Sequence, residues 1–292
     1  MRYQERRNDG MGANTKIETF DATWNPVTGC LHGCEYCYAR GFANRYCGFN
    51  PTPGISNGAW NRIQYVKDGP RLGVLNEAQH RIQKNGMIAK AAYPFGFTPT
   101  LHRYRLDIPK HWKKPRTIFV CSMADLFGDW VPDDWIQEVF KACEAAPRHR
   151  YLFLTKNPAR YKRLSDNEIL INKSNFWYGT TVTNPDQKFF CETPFFTNKV
   201  RSHSYGIFLS IEPIQADFPV EKRFARQEGQ QPCIDWMIVG AETGNRREKI
   251  VPKREWIEHL AETSKLTGVP LFMKKSLRGI MGDGFMQEFP WD

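Results

Sequence analysis

The sequence predicts an α/β fold: a TIM-like (β/α) barrel, complete or partial, with an irregular insertion after its first βα unit. Three observations predict it. Short apolar runs recur roughly every 26 to 34 residues, the spacing of strand-plus-helix units. Each run ends in polar residues, as strands do where parallel α/β folds gather their chemistry. The chain is 292 residues long, which suits a single barrel of about 250 residues.

Taken in order, residues 1–14 lack any period and read as a flexible tail, leaving 15–292 as one domain. Residues 15–25 are β-prone and deliver the chain to Cys30-Leu31-His32-Gly33-Cys34-Glu35-Tyr36-Cys37. Ala39, Phe42, Ala43 and Tyr46 then share one face of a helix behind that loop. Residues 47–96 are the insertion, with turn signals at 50–54 and 68–70 and a helical pattern over 76–92. A short strand follows at 98–102.

The regular rhythm begins after that point. Apolar runs at 118–121, 151–154, 177–182, 206–211, 236–239 and 270–273 read as strands. Between them, Trp135, Ile136, Val139, Phe140 and Cys143 line one helical face. Trp256, Ile257, Leu260 and Ala261 line another, and Gly268 stops that helix. Counting the strand before Cys30 and the one at 98–102 gives about eight βα units. A six-stranded open barrel or a doubly wound sheet would show the same rhythm.

Composition narrows the function classes. With 41% apolar and 14% aromatic residues, the chain buries a sizeable core and is not disordered. No apolar run reaches the roughly 18 residues of a membrane span, and the polar start is no signal peptide, so a cytoplasmic protein is expected. There, eight cysteines are expected to be reduced or metal-bound rather than paired. The net charge of +10 and pI near 9.2 favour polyanions such as nucleic acid or nucleotides. Basic residues cluster at 110–116, at 148–150 and at Lys274, Lys275 and Arg278; each cluster alone would equally serve as a solvated surface.

Two features carry chemistry. Cys30, Cys34 and Cys37 stand at C-x3-C-x2-C spacing, so a tight loop points three thiolates inward. Three thiolates are one short of a closed site, which leaves one coordination position open for chemistry. His32 lies too close in sequence to Cys30 and Cys34 to join them on one ion, and is expected to be exposed or in a supporting position. Cys121 and Cys143 fall on apolar faces, and Cys47, Cys191 and Cys233 lack ligand spacing, so these five read as structural.

The second feature is the set of strand-end polar groups: Asp125, Thr155, Lys156, Ser210, Glu212, Glu242 and Lys274. Each has a plainer role open to it. Asp125 would cap a helix at 126–130, Glu212 would be an exposed turn residue, and Lys274 would face solvent. Glu242, set among glycines in Gly240-Ala241-Glu242-Thr243-Gly244, fits close approach of a ligand better.

The C-x3-C-x2-C loop resembles that of radical S-adenosylmethionine enzymes. The resemblance implies that Cys30, Cys34 and Cys37 hold a [4Fe–4S] cluster whose fourth iron takes the cofactor's amino and carboxylate groups. It implies a 5′-deoxyadenosyl radical made by reductive cleavage, an external electron donor, and Tyr36 packed on the adenine. Segments 23–30, 98–102, 122–127, 154–158, 209–213 and 235–242 further resemble the phage protein family called Gp thirty-seven / Gp sixty-eight, itself regarded as radical-S-adenosylmethionine-like. That family occurs in phages, prophages and bacteria, which places the expected setting in bacterial or infected-host cytosol. At the last of these segments Gly-Ala-Glu-Thr-Gly stands where the family usually has Gly-Gly-Glu-Ser-Gly. The superfamily's Gly-Gly-Glu motif at the second strand is not evident.

The expectation is therefore a radical S-adenosylmethionine enzyme with nucleic acid or a nucleotide as first-choice substrate. The backbone around Gly33, with Thr155, Ser210, Glu212 and Glu242, would contact cofactor or substrate. Asp125, Lys156 and Lys274 would handle substrate or protons. The alternative is a non-catalytic zinc- or iron–sulfur-containing nucleic-acid-binding protein. Oligomeric state is not written in the sequence.

Overall fold

The structure, a computed structural model, describes residues 17–48, 63–64, 70–82, 85–185, 204–220, 234–244 and 246–292. The expected tail, the turns at 50–54 and 68–69, Cys191 and Cys233 lie outside the described residues. The chain divides into two compact units, residues 1–149 and 150–292.

The first unit holds β1 (Ala22–Trp24), β2 (Val27–Thr28), β3 (Ile63–Gln64), β4 (Leu72–Leu75), β5 (His80–Ile82), β6 (Ile88–Lys90), β7 (Thr100–His102) and β8 (Thr117–Val120). β1 pairs in parallel with β8, Ala22 against Ile118 and Trp24 against Val120. Trp24 is fully buried and its indole donates to the Arg105 carbonyl at 2.8 Å. Arg105 is itself buried and donates to Asn25 O, Ala92 O and the Tyr104 hydroxyl. A single guanidinium thus ties β1's end to the insertion and to the turn after β7, leaving none of those carbonyls without a donor. The helix Asp133–Glu144 buries Trp135, Ile136, Val139, Phe140 and Cys143, the face its sequence period marks out.

The second unit holds β9 (Arg150–Thr155), β10 (Phe176–Val182), β11 (Gly206–Ile211), β12 (Trp236–Val239) and β13 (Leu271–Met273), all parallel. Every residue of β10, β11 and β12 is buried, which is why these strands read as unbroken runs rather than alternating ones. Two glycines make room for aromatic rings. A Cβ on Gly179 would sit 2.2 Å from the Phe208 ring, and one on Gly206 would sit 2.3 Å from the Trp177 ring. The helix Arg254–Thr267 ends at Gly268, whose φ of 72° is the left-handed cap expected there.

The strand rhythm was read correctly but the barrel was not. In the first unit the parallel pair is β1-β8, and in the second the parallel strands run in the order β9-β10-β11-β12-β13. The strand at 98–102, counted as a barrel unit, is β7. It pairs antiparallel with β2 and parallel with β4, in a separate four-stranded sheet. Removing it from the count leaves open runs of parallel strands and not a TIM-like barrel, complete or partial.

The helix expected at 76–92 is also corrected. β5 and β6 pair there as an antiparallel hairpin, His80 against Lys90. Asn85-Gly86 lies between them; Gly86 takes φ 78° and Asn85 Oδ1 accepts from Met87 N. Asn-Gly is a hairpin turn signal that outweighs a weak helical period.

Candidate functional site

The cysteine loop is built from its glycines outward. Gly29 takes φ 89°, donates to the Met123 carbonyl at 2.9 Å and bridges Ala124. A Cβ there would lie 2.4 Å from the carbonyl carbon and oxygen of Thr98, so only glycine fits. Cys30 N donates to Phe97 O, and Cys37 N closes a turn onto Cys34 O. Cys37 then caps the helix Tyr38–Arg45, its sulfur accepting from Arg40 N at 3.4 Å. Beyond the loop, Asn25 Oδ1 accepts from Met123 N and the Ser122 hydroxyl, fixing the segment after β8 against β1.

Cys30, Cys34 and Cys37 are all free and half-buried. Burial pushes the Cys30 thiol up to about 12. A backbone hydrogen bond at His32 opposes that rise, while the negative charges of Asp125, Cys34 and Cys37 add to it. Negative charge around Cys30 is therefore under-compensated. A cationic centre would relieve it, and its binding would release protons. Among the described residues no group of three or more His, Cys, Asp and Glu converges as a single bound ion requires. The donor set of three free cysteines with one ligand short fits the cluster. Gly33 is exposed at φ 72°, and Tyr36 is half-buried.

Asp125 and His32 were expected in separate roles and the structure brings them together. His32 Nε2 lies 2.7 Å from Asp125 Oδ2, and its ring meets Trp130 edge-on at 4.8 Å. Asp125 is buried and its other oxygen accepts from Phe127 N. Residues 126–130 are turns rather than a helix, so Asp125 caps no helix. Tyr38 adds a second tether, its hydroxyl donating to Ser122 O at 3.0 Å. Neither tether is visible in the sequence, because partners 84 and 93 residues apart leave no local period.

In the second unit the strand ends carry their own polar group. Thr181 and Ser210 are in register on neighbouring strands and both are buried. The Ser210 hydroxyl donates to Glu212 Oε2 at 3.0 Å, and Lys274 Nζ lies 3.2 Å from Glu212 Oε1. Gly240 sits between them; a Cβ there would come within 3.0 Å of Glu212 Oε1 and 3.1 Å of Lys274 Cγ. Glu212 is thus no exposed turn residue and Lys274 does not face solvent; both are half-buried in a paired network. Buried Thr155 accepts from Asn157 N, and half-buried Lys156 follows it. Glu242 takes a two-pronged bond from Arg246, both contacts at 2.7 Å. That bond, with the charge of Arg246, holds the Glu242 carboxyl below its usual range. Arg246 was missed in sequence, because the described residues around it carry no helix whose period would pair it with Glu242.

A family model described as "Protein of unknown function (DUF5131)" matches residues 14–280. The chain belongs to that family. The DUF5131 match takes in the cysteine loop and every strand-end residue named above. No curated protein and no solved structure matches the chain. Among the described residues no helix is long and apolar enough to cross a membrane.

Proposed function

We propose that this protein is a radical S-adenosylmethionine enzyme in which Cys30, Cys34 and Cys37 hold a [4Fe–4S] cluster. One observation carries the reading: three free, half-buried cysteines on a loop fixed by Gly29, by the Cys37 helix cap, by His32–Asp125 and by Tyr38–Ser122. The resemblance of the C-x3-C-x2-C spacing to that superfamily supports it. Once bound and reduced, such a cluster would supply the electron that splits the sulfonium of S-adenosylmethionine into methionine and a 5′-deoxyadenosyl radical.

This chain's own residues position and shield. Gly33 leaves an uncluttered backbone edge beside the cysteines, and Tyr36 offers a half-buried ring for the adenine. Asp125, anchoring His32, orients the loop and is a candidate for proton handling. Thr155, Ser210, Glu212 and Glu242 are the proposed cofactor or substrate contacts of the second unit, with Lys156 and Lys274 as proton or substrate groups. An external donor provides the electron. A reducing cytosolic setting agrees with six described cysteines all free. The basic surface favours a nucleic acid or nucleotide substrate.

Metal analysis tests the reading. Anaerobically purified and reconstituted protein should carry about four irons and four sulfides per chain, and Cys34→Ala should carry almost none. Zinc in place of iron, with the same stoichiometry in wild type and Cys34→Ala, would reject it in favour of a structural site elsewhere.

A further inference from the structure

We propose that the first unit carries a nucleic-acid docking surface at the amino-terminal end of β8, apart from the cysteine loop. Lys110, Lys113, Lys114 and Arg148 are exposed there, and Arg116 is half-buried beside them. The segment is held in place by its own contacts. Arg148 Nη1 donates to the carbonyls of Lys110 and Trp112 at 3.2 and 2.9 Å, and His149 Nε2 donates to Pro109 O at 2.9 Å. The Arg116 guanidinium lies 5.2 Å from the centre of the Trp112 ring, which meets His149 edge-on.

These contacts hold Arg148, and the backbone that carries the lysines, without neutralising either. Arg148 is held by carbonyls, which carry no net charge. Among the described residues no carboxylate pairs with Lys110, Lys113, Lys114 or Arg148; Asp107, the acid nearest in sequence, takes His111 at 3.2 Å. Like charges gathered along one segment repel one another, and a polyanion relieves that repulsion at several points at once. Three lysines on one short segment, with Arg148 bonded to its backbone, match the repeated phosphates of a nucleic-acid backbone, and the chain's +10 charge adds long-range attraction. Lysine heads are point charges that position a backbone without reading bases, so binding is independent of sequence. A lipid surface fits less well, because no large hydrophobic residue between 107 and 116 is exposed to insert into one.

The surface is distinct from the candidate metal centre. Arg116 immediately precedes β8, whereas the cysteine loop meets the chain at Ser122 and Asp125, beyond its other end. The four residues of β8 alone separate the two by roughly 13 Å. Docking there would hold a nucleic acid without depending on the cysteines.

Fluorescence anisotropy with a labelled mixed-sequence DNA duplex, on the full chain as purified, tests this. The apparent affinity should fall with salt at a log–log slope of about −3 to −4, as four phosphate contacts require. The triple variant Lys110→Glu, Lys113→Glu, Lys114→Glu should bind at least tenfold more weakly while keeping its melting temperature and iron content. A slope near zero, unchanged binding by the triple variant, or tighter binding to anionic lipid vesicles than to DNA would each overturn the proposal. Because the duplex assay needs neither cluster nor S-adenosylmethionine, its failure leaves the enzymatic reading untouched.

Discussion

His32 Nε2 stands 2.7 Å from Asp125 Oδ2 and ties the stretch between the first two cysteines to the segment after β8. The aspartate is only 7% exposed and the histidine 22%. Its second oxygen is already engaged with Phe127 N. Both oxygens are therefore committed to holding the loop.

Asp125→Ala should cost about 1–3 kcal/mol in chemical denaturation, because it strands a buried amide and an imidazole. Asp125→Asn, which keeps the shape and one acceptor, should cost less. In reconstituted protein the alanine variant should lose iron to a chelator faster than wild type, and the asparagine variant should fall between them. Equal rates for all three would mean that the contact does not position the cysteines.

Gly29 sets where the cysteine loop begins. Gly29→Ala adds a Cβ 2.4 Å from the Thr98 carbonyl at a φ that disfavours side chains, so about 3 kcal/mol or more of stability should be lost. Gly33→Ala meets nothing within 4 Å and pays only for its positive φ, about 1 kcal/mol. Urea titration of the two variants separates steric from conformational cost. Similar midpoints would show that the Thr98 backbone yields to the methyl group.

His102 gives the first unit a pH dependence. It is fully buried, with Nε2 at 2.9 Å from Thr28 Oγ1 and Nδ1 at 3.3 Å from the Tyr104 hydroxyl. Burial first, and the Arg105 charge second, hold its pKa well below the ordinary 6.5. Below that value the unfolded chain takes up a proton that the folded chain refuses. Stability is complete above about pH 6.5 and falls as pH drops, by at most about 1.4 kcal/mol per unit from this group. Burial lowers His149 in the same direction. Melting temperatures between pH 7.5 and 5 should show the decline, and His102→Gln should flatten it. A wild-type slope that the substitution leaves unchanged would place its source elsewhere.

What the sequence disclosed follows the range of the interactions involved. β10 to β13 were legible because strands buried on both faces print themselves as continuous apolar runs. The helix Asp133–Glu144 was legible from its period. β7 was recognised as a strand and assigned to the wrong sheet, since a run such as Thr100-Leu101-His102 carries no mark of its partner. The cysteines were plain, but the groups that brace them were not. His32–Asp125, Tyr38–Ser122 and Gly29 against Thr98 are all long-range contacts. Ser210, Glu212 and Lys274 were picked out one by one from strand ends; only the alignment of β11, β12 and β13 shows that they form one network.

The most direct test is product analysis with the reconstituted protein. Incubated anaerobically with S-adenosylmethionine and dithionite, the wild-type chain should yield 5′-deoxyadenosine and methionine, and Cys30→Ala, Cys34→Ala and Cys37→Ala should each yield none. No 5′-deoxyadenosine from an iron-loaded wild-type protein, or undiminished product from any of the three variants, would contradict the account.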